Sequence, residues 1–123
     1  MTTLSPVDKF GKFIVENLRD KGIDFAEGLL KSHWRAPILL EMQNEIATLN
    51  DNQKTAFIKA ITHTIDGAIH DFLFALQEQA DFENDIQILV DGQNIVELSD
   101  GIHAEAYSED GWFAKYSSHK TDS

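Results

Sequence analysis

The chain has 123 residues, of which 42% are hydrophobic and 25% charged, and a formal net charge of −11; these values fit a single globular domain better than a disordered or membrane protein. It contains no cysteine, which excludes disulfides, thiolate nucleophiles and cysteine-ligated zinc or iron–sulfur centres. An acidic surface repels phosphate backbones and anionic lipid, so neither nucleic acid nor a membrane is expected as a partner, and the opening MTTLSPVDKFGKF has no apolar core of signal-peptide length, so a cytoplasmic location is expected.

The first helix is announced by Ser5 as N-cap, Pro6 at the first helical position and Asp8 in the first turn. Val7, Phe10, Phe13, Ile14 and Leu18 form its apolar side, and Gly22 is the expected stop. A shorter second helix is predicted from Asp24, with Phe25, Leu29 and Leu30 inward, ending near Ser32 to Trp34. Pro37 disfavours helix at Ala36 and suits the first turn of a third helix over residues 37–49, with Leu39, Met42, Ile46 and Leu49 inward. Trp34, between two helices, is expected to close an end of the core.

The longest element is predicted over residues 52–79. Asn50 followed by Gln53 has the spacing of a capping box, and Ile58, Ile61, Ile65, Ile69, Phe72 and Leu76 recur at the helical period, with Ala68 and Leu73 at the margins. Gly67, mid-helix, costs about 1 kcal/mol against alanine and suggests a close approach or a bend. On the opposite face stand Lys59, His63, Asp66, His70, Phe74 and Gln77. His63 and His70 are two turns apart, about 10 Å along the axis, which is a poor match to the four-residue spacing of helical zinc ligands. His63, Asp66 and His70 are therefore weak metal candidates, and the favoured reading is a solvated face whose Phe74 packs on a neighbour or on a second copy of the chain.

Beyond residue 79 the pattern changes. Three Asp-Gly pairs, Asp91-Gly92, Asp100-Gly101 and Asp110-Gly111, punctuate short β-prone runs, which predicts four strands over residues 87–90, 94–98, 102–107 and 112–116. Alternation would place His103, Glu105, Tyr107, Phe113 and Lys115 on one face of that sheet and Ile102, Ala104, Ala106, Trp112, Ala114 and Tyr116 on the other. The expected fold is a single α+β domain over residues 1–117: three N-terminal helices and one long helix packed on a four-stranded antiparallel meander, with a frayed tail over 118–123.

Motifs for chemistry are scarce. The Asp-Gly pairs lack the alternating acids and closing glutamate of a calcium loop, and no phosphate loop, dinucleotide fingerprint or nucleophile elbow is present. Glu97 and Glu105, with His103 and Tyr107 nearby, could be drawn together as an acid–base pair, though acids on an open sheet face are commonplace. Charge is the more informative feature. Residues 80–123 carry ten acids against two bases, and between Lys59 and Lys115 there is no lysine or arginine at all.

Such a surface attracts basic partners. The expected partner-binding residues are Asp100, Glu105, Tyr107, Glu109, Asp110 and Phe113, aromatics ringed by acids. The expected function is that of a non-catalytic binding protein docking on a basic protein, similar in size and charge to bacterial immunity or inhibitor proteins and to nucleic-acid mimics, with no cofactor. The alternatives are a small enzyme or metal-dependent ligand binder using His63, Asp66 and His70 or the His103/Glu105 face, and a homodimer formed through His63, His70 and Phe74.

Overall fold

The computed structural model describes residues 3–83 and 85–119. Its elements are α1 (Pro6–Ile14), a π turn (Val15–Arg19), α2 (Asp20–Leu30), α3 (Pro37–Ile46), α4 (Asp51–Glu78), a second π turn (Gln79–Glu83), strands β1 (Leu89–Val90) and β2 (Gln93–Asn94), a 3-10 turn (Ile102–Ala104) and α5 (Trp112–Tyr116). Of the described residues, 66% are helical.

Ser5 caps α1 by accepting a hydrogen bond from the Asp8 amide, and Pro6 follows it. The helical path does not stop at Gly22. It continues through the first π turn into α2, and Gly22 instead marks a helix crossing: a Cβ there would lie 2.8 Å from Cδ1 of Ile65 on α4. In the π turn the Asp20 amide bonds to the carbonyl of Val15, one residue further back than in an α-helix. Consecutive residues Arg19 and Asp20 are both buried as a result, while Leu18, assigned to the apolar stripe, is half exposed.

The hairpin-like link to α3 is fixed by Gln43, whose carboxamide accepts from the Trp34 amide and donates to the Trp34 carbonyl, both at 2.9 Å. Trp34 stacks on Phe25 and donates its indole N–H to the Phe25 carbonyl. Helix α4 starts with the capping box formed by Asn50 and Gln53. Its first half lies half-buried beside α2, and its second half turns Ile69, Leu73 and Leu76 into the core. That set excludes Phe72, which is half exposed.

The four-stranded meander is not there. Among the described residues only Leu89 with Asn94 and Val90 with Gln93 pair, as a two-stranded antiparallel hairpin. Asp91 and Gly92 form its turn with φ of 54° and 79°, the left-handed pair that a two-residue hairpin demands. After it the chain coils through successive turns, beginning where the Asn94 side chain accepts from the Val96 amide. Asn94, Ile95 and Val96 are buried in succession, Ile102 and Ala106 are buried four apart, and Trp112 and Phe113 are buried side by side. An alternating strand puts neighbours on opposite faces and cannot bury the two consecutive sets together, and between Ile102 and Ala106 the intervening Ala104 is exposed in a 3-10 turn where a strand would have turned it inward with them. The other two Asp-Gly pairs are therefore helix entries, Gly101 preceding the 3-10 turn and Gly111 standing as N-cap of α5.

Trp112 anchors this irregular half. It is fully buried, edge-on to Phe10, and seated so closely on α1 that a Cβ at Gly11 would meet its indole at 2.3 Å. Its neighbours in the core are Ile14 and Val15 from the first helical path and Ile69, Leu73, Ile95 and Ile102 from the rest of the chain. Among the described residues no helix is long and apolar enough to cross a membrane.

Candidate functional site

Where α4 passes the 3-10 turn, a cleft of about 500 Å³ opens, lined by His63, Asp66, Gly67 and His70 from α4 and by His103, Ala104 and Tyr107 from the turn and its continuation. A second depression of about 300 Å³ shares His103 and Ala104 as its wall and adds Asp100, Gly101, Glu105 and Ser108. The face of α4 opposite the aliphatic stripe is thus partly roofed by the C-terminal segment. Gly67 has no atom within 4 Å of where a Cβ would sit, so it widens the cleft and marks no close approach.

Four rings form the wall. His70 lies edge-on to His103 at 5.7 Å and to Tyr107 at 5.6 Å, and Phe74 lies edge-on to His103 at 5.3 Å between ring centres. Nδ1 of His103 is buried and has no hydrogen-bond partner among the described residues. The Tyr107 hydroxyl donates to the Asp66 carbonyl. Burial, with the Asp66 and Asp71 carboxylates adding to it, pushes the Tyr107 phenol from 10.0 up to about 12.

Beneath the cleft sits Arg19, fully buried. Its Nε donates to Oδ1 of Asp66 at 2.5 Å and its Nη2 to Oδ2 at 3.2 Å, a bidentate pair, while Nη1 donates to Ser117 Oγ and to the His119 carbonyl. The guanidinium also lies 4.5 Å over the ring of Phe113. Asp66 is therefore committed to Arg19. The carboxylate that stands between His63 and His70 on the helix, one of the three weak metal candidates, thus faces the guanidinium.

The residues expected to bind a partner separate. Asp100, Glu109 and Asp110 are exposed, and Tyr107 is half-exposed at the cleft. Glu105 is half-buried and accepts from Ser99 Oγ at 2.7 Å. Phe113 is in the core, 5% exposed, because α5 turns it inward beside Trp112, so it lies on no outer face. The His103/Glu105 sheet face does not exist, since both stand in or next to a helical turn.

Sequence reasoning missed Arg19, which reads as one charge at the edge of an apolar run, and missed what holds the C-terminal segment. Asp20 accepts from Ser117 Oγ and from the Ser118 amide, and His119 lies against Asp24 and Glu27. The spacing of Asp20, Asp24 and Glu27, a stripe along one face of a helix, was a visible signal for it. The remainder of the predicted tail, residues 120–123, lies outside the described residues.

Comparison with protein-family models, with curated proteins and with solved structures finds no match for this chain.

Proposed function

We propose that this is a non-catalytic binding protein whose C-terminal half docks on a basic partner protein. The observation that carries the reading is the set of exposed acids beside the cleft. Asp71 follows His70 on α4, Asp100 lines the second depression, and Glu109 and Asp110 follow Ser108, while among the described residues no lysine or arginine lines either hollow. Half-exposed Phe74 and Tyr107 supply apolar surface next to those acids. Aromatic anchors within an acidic rim suit a partner presenting lysine or arginine, with the charges steering the encounter and the rings giving contact area. Carboxylates and aromatic faces both favour a cationic group, and an anion would find no counter-charge there.

A labelled lysine- and arginine-rich peptide, followed by fluorescence anisotropy, tests this. The double variant Glu109→Lys/Asp110→Lys is expected to weaken binding by about tenfold or more, and added salt to weaken the wild-type interaction progressively. The variant Glu41→Lys/Glu45→Lys makes the same change in net charge on α3, away from the cleft, and is expected to cost less than about threefold. Equal losses in the two variants would mean that the peptide senses only total charge, and the docking site would have to be abandoned.

A further inference from the structure

We propose that Asp24, Glu27 and His119 form a divalent transition-metal site that clips the C-terminal segment to α2. One ligand atom from each of the three lies within 4.8 Å of the others, and this is the one such trio of His, Asp and Glu side chains among the described residues. Asp24 and Glu27 are one turn apart on α2, so both carboxylates project from the same face. His119 comes from the far end of the chain, with Nε2 at 2.5 Å from Oδ1 of Asp24 and Nδ1 at 3.6 Å from Oε1 of Glu27.

The histidine does not arrive there on a loose end. Ser117 Oγ donates to Asp20 at 2.5 Å, the Ser118 amide donates to the same carboxylate at 2.9 Å, and the His119 amide donates to Ser117 Oγ at 2.9 Å. The backbone leading to the imidazole is therefore tied to both carboxylate oxygens of Asp20 before any ion arrives, which lowers the ordering cost of binding. Ligand atoms about 2.0–2.1 Å from a tetrahedral zinc lie about 3.3 Å from one another. A single ion takes one ring nitrogen: with Nε2 as the ligand, opening its Asp24 contact by somewhat under 1 Å reaches that spacing, the Glu27 carboxylate, which faces Nδ1, swings toward Nε2, and the 60% exposed Asp24 side chain has room to move once the ion replaces its bond to His119.

One imidazole nitrogen with two carboxylate oxygens is a donor set for zinc and its neighbours, with a remaining position for water. Magnesium, which demands oxygen donors and keeps its own waters, is a poor match. The ion would join residues that are far apart in sequence, and it would hold down the segment whose Ser117 Oγ and His119 carbonyl accept from the buried Arg19. Metal occupancy would in this way set how firmly the floor of the cleft is closed.

The test uses the full chain with zinc chloride as the probe, read by thermal melting and by amide hydrogen exchange. Zinc at about a hundredfold excess over its dissociation constant is expected to raise the melting midpoint by roughly 5 °C or more and to slow exchange of the Ser118 and His119 amides. Both effects should vanish in Asp24→Asn/Glu27→Gln and in His119→Ala, and both should survive in His70→Ala/His103→Ala. Asparagine and glutamine keep the shape of the exposed Asp24 and the half-buried Glu27, so the first variant folds, and replacement of zinc by cobalt gives a visible spectrum that reports coordination by nitrogen and oxygen. Equal stabilisation by magnesium would show mere screening of an acidic protein and would overturn the proposal. So would stabilisation that persists without Asp24 and Glu27, or that disappears with the cleft histidines.

Discussion

At the scale of single residues the structure turns on Arg19, a guanidinium with no exposed surface that is matched by one carboxylate, one hydroxyl, one carbonyl and one aromatic face. Removing one partner of a buried pair strands the other charge, which typically costs about 3–5 kcal/mol, whereas exchanging both for apolar groups is close to neutral. Asp66→Ala is therefore expected to lower the urea-unfolding free energy by about that amount, and Arg19→Met/Asp66→Leu to recover most of the loss. Tyr107 gives a second, pH-dependent prediction. Its phenol is neutral in both folded and unfolded chains below 10.0, and above that value the unfolded chain ionises first because the folded phenol waits until about 12. Stability contributed by the neutral phenol is thus fully present below pH 10.0 and is lost as pH rises toward about 12. The alkaline decline should be shallower in Tyr107→Phe, and ultraviolet titration of the wild type should show a tyrosine ionising near 12 that the variant lacks.

At the scale of elements the glycines divide into those that seat a neighbour and those that do not. A methyl group at Gly11 would collide with the indole of Trp112 at 2.3 Å, and both groups belong to rigid, buried surroundings. Gly11→Ala is expected to destabilise by about 1–3 kcal/mol although alanine is the better helix former by about 1 kcal/mol. Gly67→Ala meets nothing within 4 Å and should stabilise by about 0.5–1 kcal/mol; chemical denaturation of the two variants checks both signs. The same contrast explains what could be read in advance. The caps of α1 and α4 were legible because Ser5, Pro6, Asn50 and Gln53 act within one turn of chain. Gly22 and the strands were misread because their meaning is set by contacts distant in sequence. Asp-Gly is equally good as a hairpin turn and as a helix entry, and only one of the three pairs, Asp91-Gly92, is the former.

At the scale of the whole molecule the site itself was half legible. His63, Asp66 and His70 were visible as one helical face, but the roof of that face, His103 and Tyr107, was assigned to a sheet that the burial of Trp112 and Phe113 rules out. The charge imbalance was fully legible, since it needs no fold to count. Its consequence for stability follows from electrostatics alone: a chain of net charge −11 repels itself in the compact state, and salt relieves that repulsion. Of the twelve acids between Lys59 and Lys115, Asp66 and Asp91 are paired with Arg19 and Lys9, while Asp71, Asp100, Glu109 and Asp110 stand exposed. Thermal midpoints measured from about 0.05 to about 0.5 M sodium chloride should therefore rise by a few degrees. Glu109→Lys/Asp110→Lys should melt higher than wild type at the low end of that range and gain less from added salt, because part of the repulsion is already gone. The variant expected to lose the basic peptide is thus expected to gain stability, a trade that surfaces kept for binding commonly show. A flat or falling salt dependence would mean that the acids are too widely spaced to feel one another, and the field on which docking depends would be absent.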